Sequence, residues 1–246
     1  MIRKQIIFKT QDNVNLGYSY QYDVMKNIYY YLSVADSVLE KMLHNKGFKA
    51  ESGHVFKLFN YSLLFDNVEF SSAIKINNKS TVKLILSGKK DIVQKILKGL
   101  LHVKKMKIGD NELKLVNIED DKKFRFNEVM LYKAISPIVE TTLDDDKNVI
   151  NLAPYDSSYF KNLAFNAMRK YELCFNRKFN NKIFFDIDDA LKIKQKSFKI
   201  KDGYIHGHLY DVWIEATPEM QKVIYYLGLG QNSSTGAGML TYITSG

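Results

Sequence analysis

Four glycines fall within eleven residues in Gly228-Leu229-Gly230-Gln231-Asn232-Ser233-Ser234-Thr235-Gly236-Ala237-Gly238. Glycine tolerates positive φ and has no side chain, so such a backbone can press its N–H groups against an anion. The chain carries 36 Lys+Arg against 27 Asp+Glu, a formal net charge of +9. That balance favours a polyanionic partner. Together the two features imply contact with a phosphate backbone and point towards RNA. The segment has a second reading, in which the glycines let the last strand pack closely on the preceding helix. A dinucleotide site is disfavoured, because G-x-G-x-x-G needs a strand before the loop and a helix after it. Here a helical pattern, Val223 to Leu227, leads in, and a strand-like run, Met239 to Ile243, leads out.

The densest basic stretch is Leu191-Lys192-Ile193-Lys194-Gln195-Lys196-Ser197-Phe198-Lys199-Ile200-Lys201. Alternate residues of a strand share a face, so Lys192, Lys194 and Lys196 should project from one side of a hairpin arm. With Lys199 they form a ridge suited to an RNA stem. The competing reading is an edge strand that its lysines keep from aggregating. His206-Gly207-His208 also sets two imidazoles on one strand face. No Cys or carboxylate cluster stands beside them at ligand spacing, so no metal site is assigned.

The elements that must position these groups follow from periodicity. Residues 2–9 read as a strand. Helices are expected from about Tyr22 to Asp36, with Tyr22, Met25, Ile28, Tyr29 and Leu32 as the apolar face, and from Ser37 to Asn45. Lys57 to Phe65 and Thr81 to Leu86 read as strands, and Asp91 to Val103 as an amphipathic helix. Lys105 to Ile118 should form a hairpin turning at Gly109-Asp110-Asn111. The second half repeats the order. Leu131 to Thr141 is a strand broken near Ser136-Pro137, and Tyr159 to Phe175 a helix capped from Asp156-Ser157-Ser158. Ile183 to Ile187, Leu191 to Ile200 and Tyr204 to Ala216 are extended. Pro218 opens a helix that runs to Leu227. The expected fold is α+β, two tandem ferredoxin-like (RRM-like) βαββαβ domains, residues 1–122 and 123–246, joined near Glu119-Asp120-Asp121-Lys122-Lys123.

Composition narrows the class. Hydrophobic residues make up 46% and charged residues 26% of 246, ordinary for a globular protein with a substantial core. Cys174 is the only cysteine, which excludes an internal disulfide and fits a reducing cytoplasm. The start, Met1-Ile2-Arg3-Lys4-Gln5-Ile6-Ile7-Phe8-Lys9, is too charged for a signal peptide, and no apolar run is long enough to span a bilayer.

Several segments in this order resemble the CRISPR repeat-processing endoribonucleases of the RAMP superfamily. The glycine segment is similar to that family's C-terminal glycine loop, with Gly228, Gly230, Gly236 and Gly238 at its glycine positions. Leu43-His44 followed by Lys57-Leu58-Phe59-Asn60-Tyr61-Ser62 resembles its histidine segment and succeeding strand. Gln21-Tyr22 through Ile28-Tyr29 resembles the helix that carries a functional tyrosine. Ser136-Pro137-Ile138 and Leu152-Ala153-Pro154 agree more weakly.

The resemblance implies cleavage of precursor CRISPR RNA within its repeats, with no cofactor or metal. The ribose 2′-hydroxyl would attack the adjacent phosphate, leaving a 2′,3′-cyclic phosphate and a 5′-hydroxyl. By matching segment, His44 falls at the catalytic histidine, Tyr29 at the tyrosine and Lys57 at the lysine, with His54 as the alternative imidazole. An imidazole can serve either proton role near neutral pH. Lys57 would add positive charge beside the phosphate. Tyr29 would orient the 2′-hydroxyl or assist its deprotonation. Read without the resemblance, His44 caps a helix, Tyr29 is packing and Lys57 is a solvated lysine. The implied partners are repeat RNA before and after processing, and the family also includes inactive RNA-binding subunits of CRISPR effector complexes. A homodimer is compatible with the sequence, and a membrane is not implied.

Overall fold

The computed structural model describes residues 1–243. The first half runs strand Ile2–Lys9, α1 Gln21–Ala35, α2 Ser37–Asn45, strands Phe59–Asp66 and Thr81–Gly88, α3 Lys90–Val103, and the hairpin Lys105–Ile108/Asn111–Asp120. These strands form one antiparallel sheet in the spatial order Phe59–Asp66, Thr81–Gly88, Ile2–Lys9, Asn111–Asp120, Lys105–Ile108. The second half uses Val129–Ala134, α4 Tyr159–Phe175, Phe184–Ile187, Asp211–Glu215, α5 Pro218–Leu227 and Leu240–Tyr242. Its sheet order is Phe184–Ile187, Asp211–Glu215, Val129–Ala134, Leu240–Tyr242. With the hairpin Lys105–Ile108/Asn111–Asp120 counted as one unit, each sheet reads second, third, first, fourth within its own half. That is the ferredoxin-like arrangement, made twice. No helix among the described residues is long and apolar enough to cross a membrane.

The helix faces explain the packing. α1 buries Gln21, Val24, Ile28, Tyr31 and Leu32, so its stripe is rotated from the expected one and leaves Tyr29 half-buried at the margin. α3 crosses α1 at Gly99, where a Cβ would stand 1.8 Å from the Tyr31 carbonyl oxygen. Only glycine permits that approach.

Several expected strands end early for local reasons. The strand expected from Lys57 begins at Phe59, because Leu58 takes φ +55 and kinks the chain. The strand expected from Leu131 to Thr141 stops at Ala134. Past Ser136-Pro137 it keeps one bridge, Ile138 to His208, before Thr141–Leu143 pairs with Val149–Asn151. Tyr210 divides the long strand Tyr204 to Ala216 in two, its hydroxyl paired with that of buried Tyr159 at 2.9 Å.

One basic residue does not lie where strand alternation puts it. Lys192 ends a 3₁₀ turn, Ala190–Lys192, and the arm starts at Lys194. Asp189 causes this: its carboxylate accepts from Leu191 N at 3.0 Å and pairs with Lys192 Nζ at 3.1 Å. Leu191 is 96% exposed rather than packed.

The halves meet across polar groups. Strand register sets Asn60, Ser87 and Arg3 side by side on one face of the first sheet, all three buried. The end of α5 docks on that row. Ser87 Oγ donates to Tyr226 O at 2.7 Å, and the Arg3 guanidinium donates to Tyr225 O and, at 2.7 Å, to Leu240 O. A cation at the carbonyl end of a helix is favourable by charge as well as by hydrogen bonding.

Candidate functional site

Asp36 caps α2 by accepting from Leu39 N at 2.9 Å, and His44 stands in the helix's exposed last turn. Its ring meets Tyr29 edge-on, centroids 5.5 Å apart, and Tyr29 in turn meets Phe59 at 6.0 Å. His44 Nδ1 pairs with Asn45 Oδ1 at 3.1 Å. With Nδ1 so engaged, Nε2 is the ring nitrogen left without a hydrogen-bond partner among the described residues.

Lys57 reaches back to this turn, aimed there by the Leu58 kink. Its ammonium donates to the Leu43 carbonyl and to the His44 carbonyl at 3.2 Å. Two of its three donors thus cap α2, and one remains. Partial burial holds the Lys57 pKa below the ordinary lysine value. Burial, with a contribution from the Glu40 charge, pushes the Tyr29 phenol up to about 12. At neutral pH Tyr29 is a hydrogen-bond donor, not a base. His44, Tyr29 and Lys57 are therefore brought together by three separate elements.

His54 is the other candidate imidazole. It precedes the short strand Val55–Phe56, is exposed, and has Nδ1 3.2 Å from Ser52 Oγ. It lines a groove between the halves together with Lys57, Lys170, Gly230 and Asn232 to Ser234. Lys57 thus belongs both to the His44 cluster and to this groove.

The glycine loop is built inward. Gly228, Gly230, Gly236 and Gly238 all have positive φ and are buried. At Gly238 a Cβ would come within 1.9 Å of the Leu229 carbonyl oxygen, and at Gly228 within 2.1 Å of Asn60 Nδ2. The amides of Gly228, Gly236 and Gly238 are spent on Ile224 O, Ser233 O and Pro137 O. Close packing is what these glycines provide, and the partly open surface of the loop is Asn232 to Thr235. That turn runs along the edge strand Phe59–Asp66 and beside α1. The basic arm is also near: its strand Lys194–Ile200 flanks α1, with Lys194 and Lys196 exposed and Lys199 half-buried. The two arm histidines are not paired in function. His206 Nδ1 is 2.6 Å from Ser197 Oγ, whereas His208 is buried and its pKa is lowered by desolvation.

A family model described as CRISPR associated protein Cas6, C-terminal, matches residues 119–242. The chain belongs to the Cas6 family. It is similar to the CRISPR-associated endoribonuclease Cas6 1 of Methanocaldococcus jannaschii, 27% identical with 98% of this chain and 93% of that protein aligned. It also resembles a putative CRISPR-associated endoribonuclease-like protein Cas6 of Pyrococcus furiosus, 24% identical over 95% of both. Among solved structures, that of a Cas6-related gene from Pyrococcus furiosus superposes with TM-score 0.85 at 21% identity, covering 100% of this chain and 99% of that one. A RAMP protein binding different RNA substrates gives TM-score 0.85 at 20% identity, covering 99% and 100%.

Two residues of this Cas6-family chain escape sequence reasoning. Lys170, next to Arg169 in sequence, is 2% exposed and donates to Gly228 O at 2.8 Å and Gly230 O at 2.7 Å. Burial brings its pKa down to about 7. It ties the glycine loop to α4. The available signal was helical spacing, since Lys170 shares a stripe with Tyr159, Leu163 and Asn166. Glu140, equally buried, has its pKa pushed up to about 7, mainly by burial. Its neighbours in sequence gave no such signal.

Proposed function

We propose that this chain is an endoribonuclease that cleaves precursor CRISPR RNA within its repeats. The observation that carries the reading is the convergence of Tyr29 and Lys57 on His44, with Lys57 also lining a groove in a Cas6-family fold. The Methanocaldococcus jannaschii relative, named as an endoribonuclease, supports the reaction class.

The reaction needs three things from the protein. A proton must leave the 2′-hydroxyl as its oxygen bonds to phosphorus, a proton must reach the departing 5′-oxygen, and charge on the phosphorane must be relieved. His44, with a free Nε2 at the surface, gives the proton to the 5′-oxygen. The phenol of Tyr29 donates a hydrogen bond that orients the ribose or the phosphate. Lys57 directs its remaining N–H to a non-bridging oxygen. No water is consumed: the P–O5′ bond breaks as the P–O2′ bond forms, leaving a 2′,3′-cyclic phosphate and a 5′-hydroxyl. The 2′-hydroxyl proton passes to solvent water and His44 is reprotonated from solvent; none of these steps needs a metal ion, so the reading is of a metal-independent enzyme.

Lys194, Lys196 and Lys199 on the arm, with the polar turn of the glycine loop, hold the RNA backbone. We divide the chain at 122/123. Phe124 and Phe126 already meet Tyr225 of the second half edge-on, with centroids at 4.9 and 5.6 Å.

Purified protein mixed with repeat RNA in EDTA tests the proposal. Scission at one position with a cyclic-phosphate end is expected. Tight binding with intact RNA would instead assign the chain to the inactive RNA-binding subunits, and an EDTA-sensitive cut would overturn the metal-free step.

A further inference from the structure

We propose that a cavity on the α4 side of the groove takes up one unstacked nucleotide of the RNA strand, its base received by Phe165 and Glu140 and its phosphate by Arg169. This rests on the reading of the chain as an RNA-binding nuclease, and adds to it a site outside the His44 cluster.

The cavity, of about 520 Å³, is lined by His54, Glu140, Thr141, Asn162, Phe165 and Arg169 among others. That volume is within the range of small-ligand clefts. Its floor holds an unusual group. Glu140 is 2% exposed. One carboxyl oxygen, Oε1, accepts from Gln231 Nε2 at 2.6 Å, while the other, Oε2, is buried with no partner among the described residues. Gln231 is not free to turn and satisfy it. Its Oε1 accepts from Thr141 Oγ1 at 2.8 Å, and its Nε2 also reaches Thr141 O at 3.2 Å. A buried acceptor left unmatched costs the full desolvation of that atom, so such a group calls for a donor from outside. Every nucleobase carries an N–H on its pairing edge that can fill this role.

The wall of the cavity suits the rest of a nucleotide. Asn162, Phe165 and Arg169 lie three and four residues apart and share one stripe of α4. Phe165 is 42% exposed, a large apolar ring left in the open. Two cations flank it, Lys161 Nζ at 5.8 Å and Arg169 Cζ at 6.0 Å from its centroid. An exposed aromatic face between cations is the arrangement by which single-stranded nucleic acid is held, stacking for the base and charge for the backbone. The cavity also adjoins the groove. His54 and Gln231 line both spaces, so a strand passing Lys57 and the glycine loop leads into it.

The test is an abasic scan of the repeat RNA, with 2′-deoxy substitution at the scissile nucleotide, measured by filter binding in EDTA. It compares the full chain with Phe165→Ala, whose exposed side chain leaves folding intact, and with Glu140→Gln. For the original protein, one abasic position should weaken binding on the order of 10-fold, the usual scale of one base–aromatic stack. The same lesion should cost Phe165→Ala and Glu140→Gln little further. Equal abasic penalties in all three proteins at every position would overturn the pocket while leaving the nuclease reading in place. No preference of the original protein for repeat over scrambled RNA would remove both. Displacement of repeat RNA by free nucleoside monophosphates at micromolar concentration, lost in Phe165→Ala, would overturn the strand assignment in favour of a mononucleotide ligand.

Discussion

The Lys57 ammonium donates to the main-chain carbonyl of His44 at 3.2 Å, so the group expected to face phosphate also fixes the turn that bears the imidazole. Structure and chemistry are therefore coupled at one nitrogen. Lys57→Ala should slow single-turnover cleavage about 100-fold, as loss of a charge-stabilising donor does. It should also cost roughly 1 kcal/mol in stability through the lost cap. Parallel kinetics and urea unfolding check both. An unchanged rate with lowered stability would leave Lys57 a cap and nothing more.

The two candidate histidines separate by assay. His44→Ala is expected to reduce the single-turnover rate at saturating protein by about 100-fold or more while binding persists, the range that positioned proton transfer supplies. His54→Ala should weaken RNA binding and leave the saturated rate much less affected, because His54 lines the groove whereas the ring that meets Tyr29 is that of His44. A reversed pattern would move the proton transfer to His54.

With its phenol pushed up to about 12, Tyr29 stays protonated through neutral pH. Tyr29→Phe should therefore lower cleavage by about 10-fold, the loss of one hydrogen bond, without altering the pH–rate profile. Disappearance of a limb of that profile between pH 6 and 9 in this variant would restore a basic role for the phenol.

At Gly238 an added Cβ meets the Leu229 carbonyl oxygen at 1.9 Å, whereas at Gly236 the nearest atom is a Tyr61 ring carbon at 3.0 Å. Gly238→Ala should thus destabilise by on the order of 3 kcal/mol, combining positive-φ strain with overpacking. Gly236→Ala should cost less. Equilibrium denaturation of the two variants ranks them, and equal, small effects would contradict the close packing of the loop.

Glu140 gives a pH dependence whose sign follows from its raised pKa. Between the ordinary carboxyl value of 4.5 and about 7 the folded state binds a proton that the unfolded state has lost. Stability from this group is full below the lower value and declines as pH rises through the window. Glu140→Gln should flatten that decline. Chemical denaturation at pH 5 and 7 measures it, and the same slope in both proteins would place the titration elsewhere.

The long periodic elements were legible in the sequence. Tyr159–Phe175 was read to the residue, and Thr217 caps α5 by accepting from Met220 N at 3.3 Å, with Pro218 in the first turn as expected. The Asp156 cap was not: its carboxylate turns back to Ala153 N at 2.6 Å. Side-chain choices among nearby amides depend on a turn that propensity does not set. The short hairpins, Phe48–Lys49/Val55–Phe56 among them, are held by tertiary contact and leave almost no periodic trace. The three catalytic candidates could be named from ordered segments, but their meeting could not, nor could the groove that His54 shares with Lys57. Arg3, Glu140 and Lys170 were hidden for one reason. A buried charge has the same letter as a solvated one, and only the partner that satisfies it tells them apart.

Arg3 finds its acceptor on Leu240, 237 residues away. On the ribosome, the first strand must therefore wait until Tyr225 and Leu240 have been made before its guanidinium is satisfied. During that delay the exposed sheet face offers Arg3, Ser87 and Asn60 to the solvent, groups that water can serve. A nascent first half is thus less adhesive than a bare apolar sheet would be, and the late arrival of α5 replaces hydration with carbonyls already aligned to receive it.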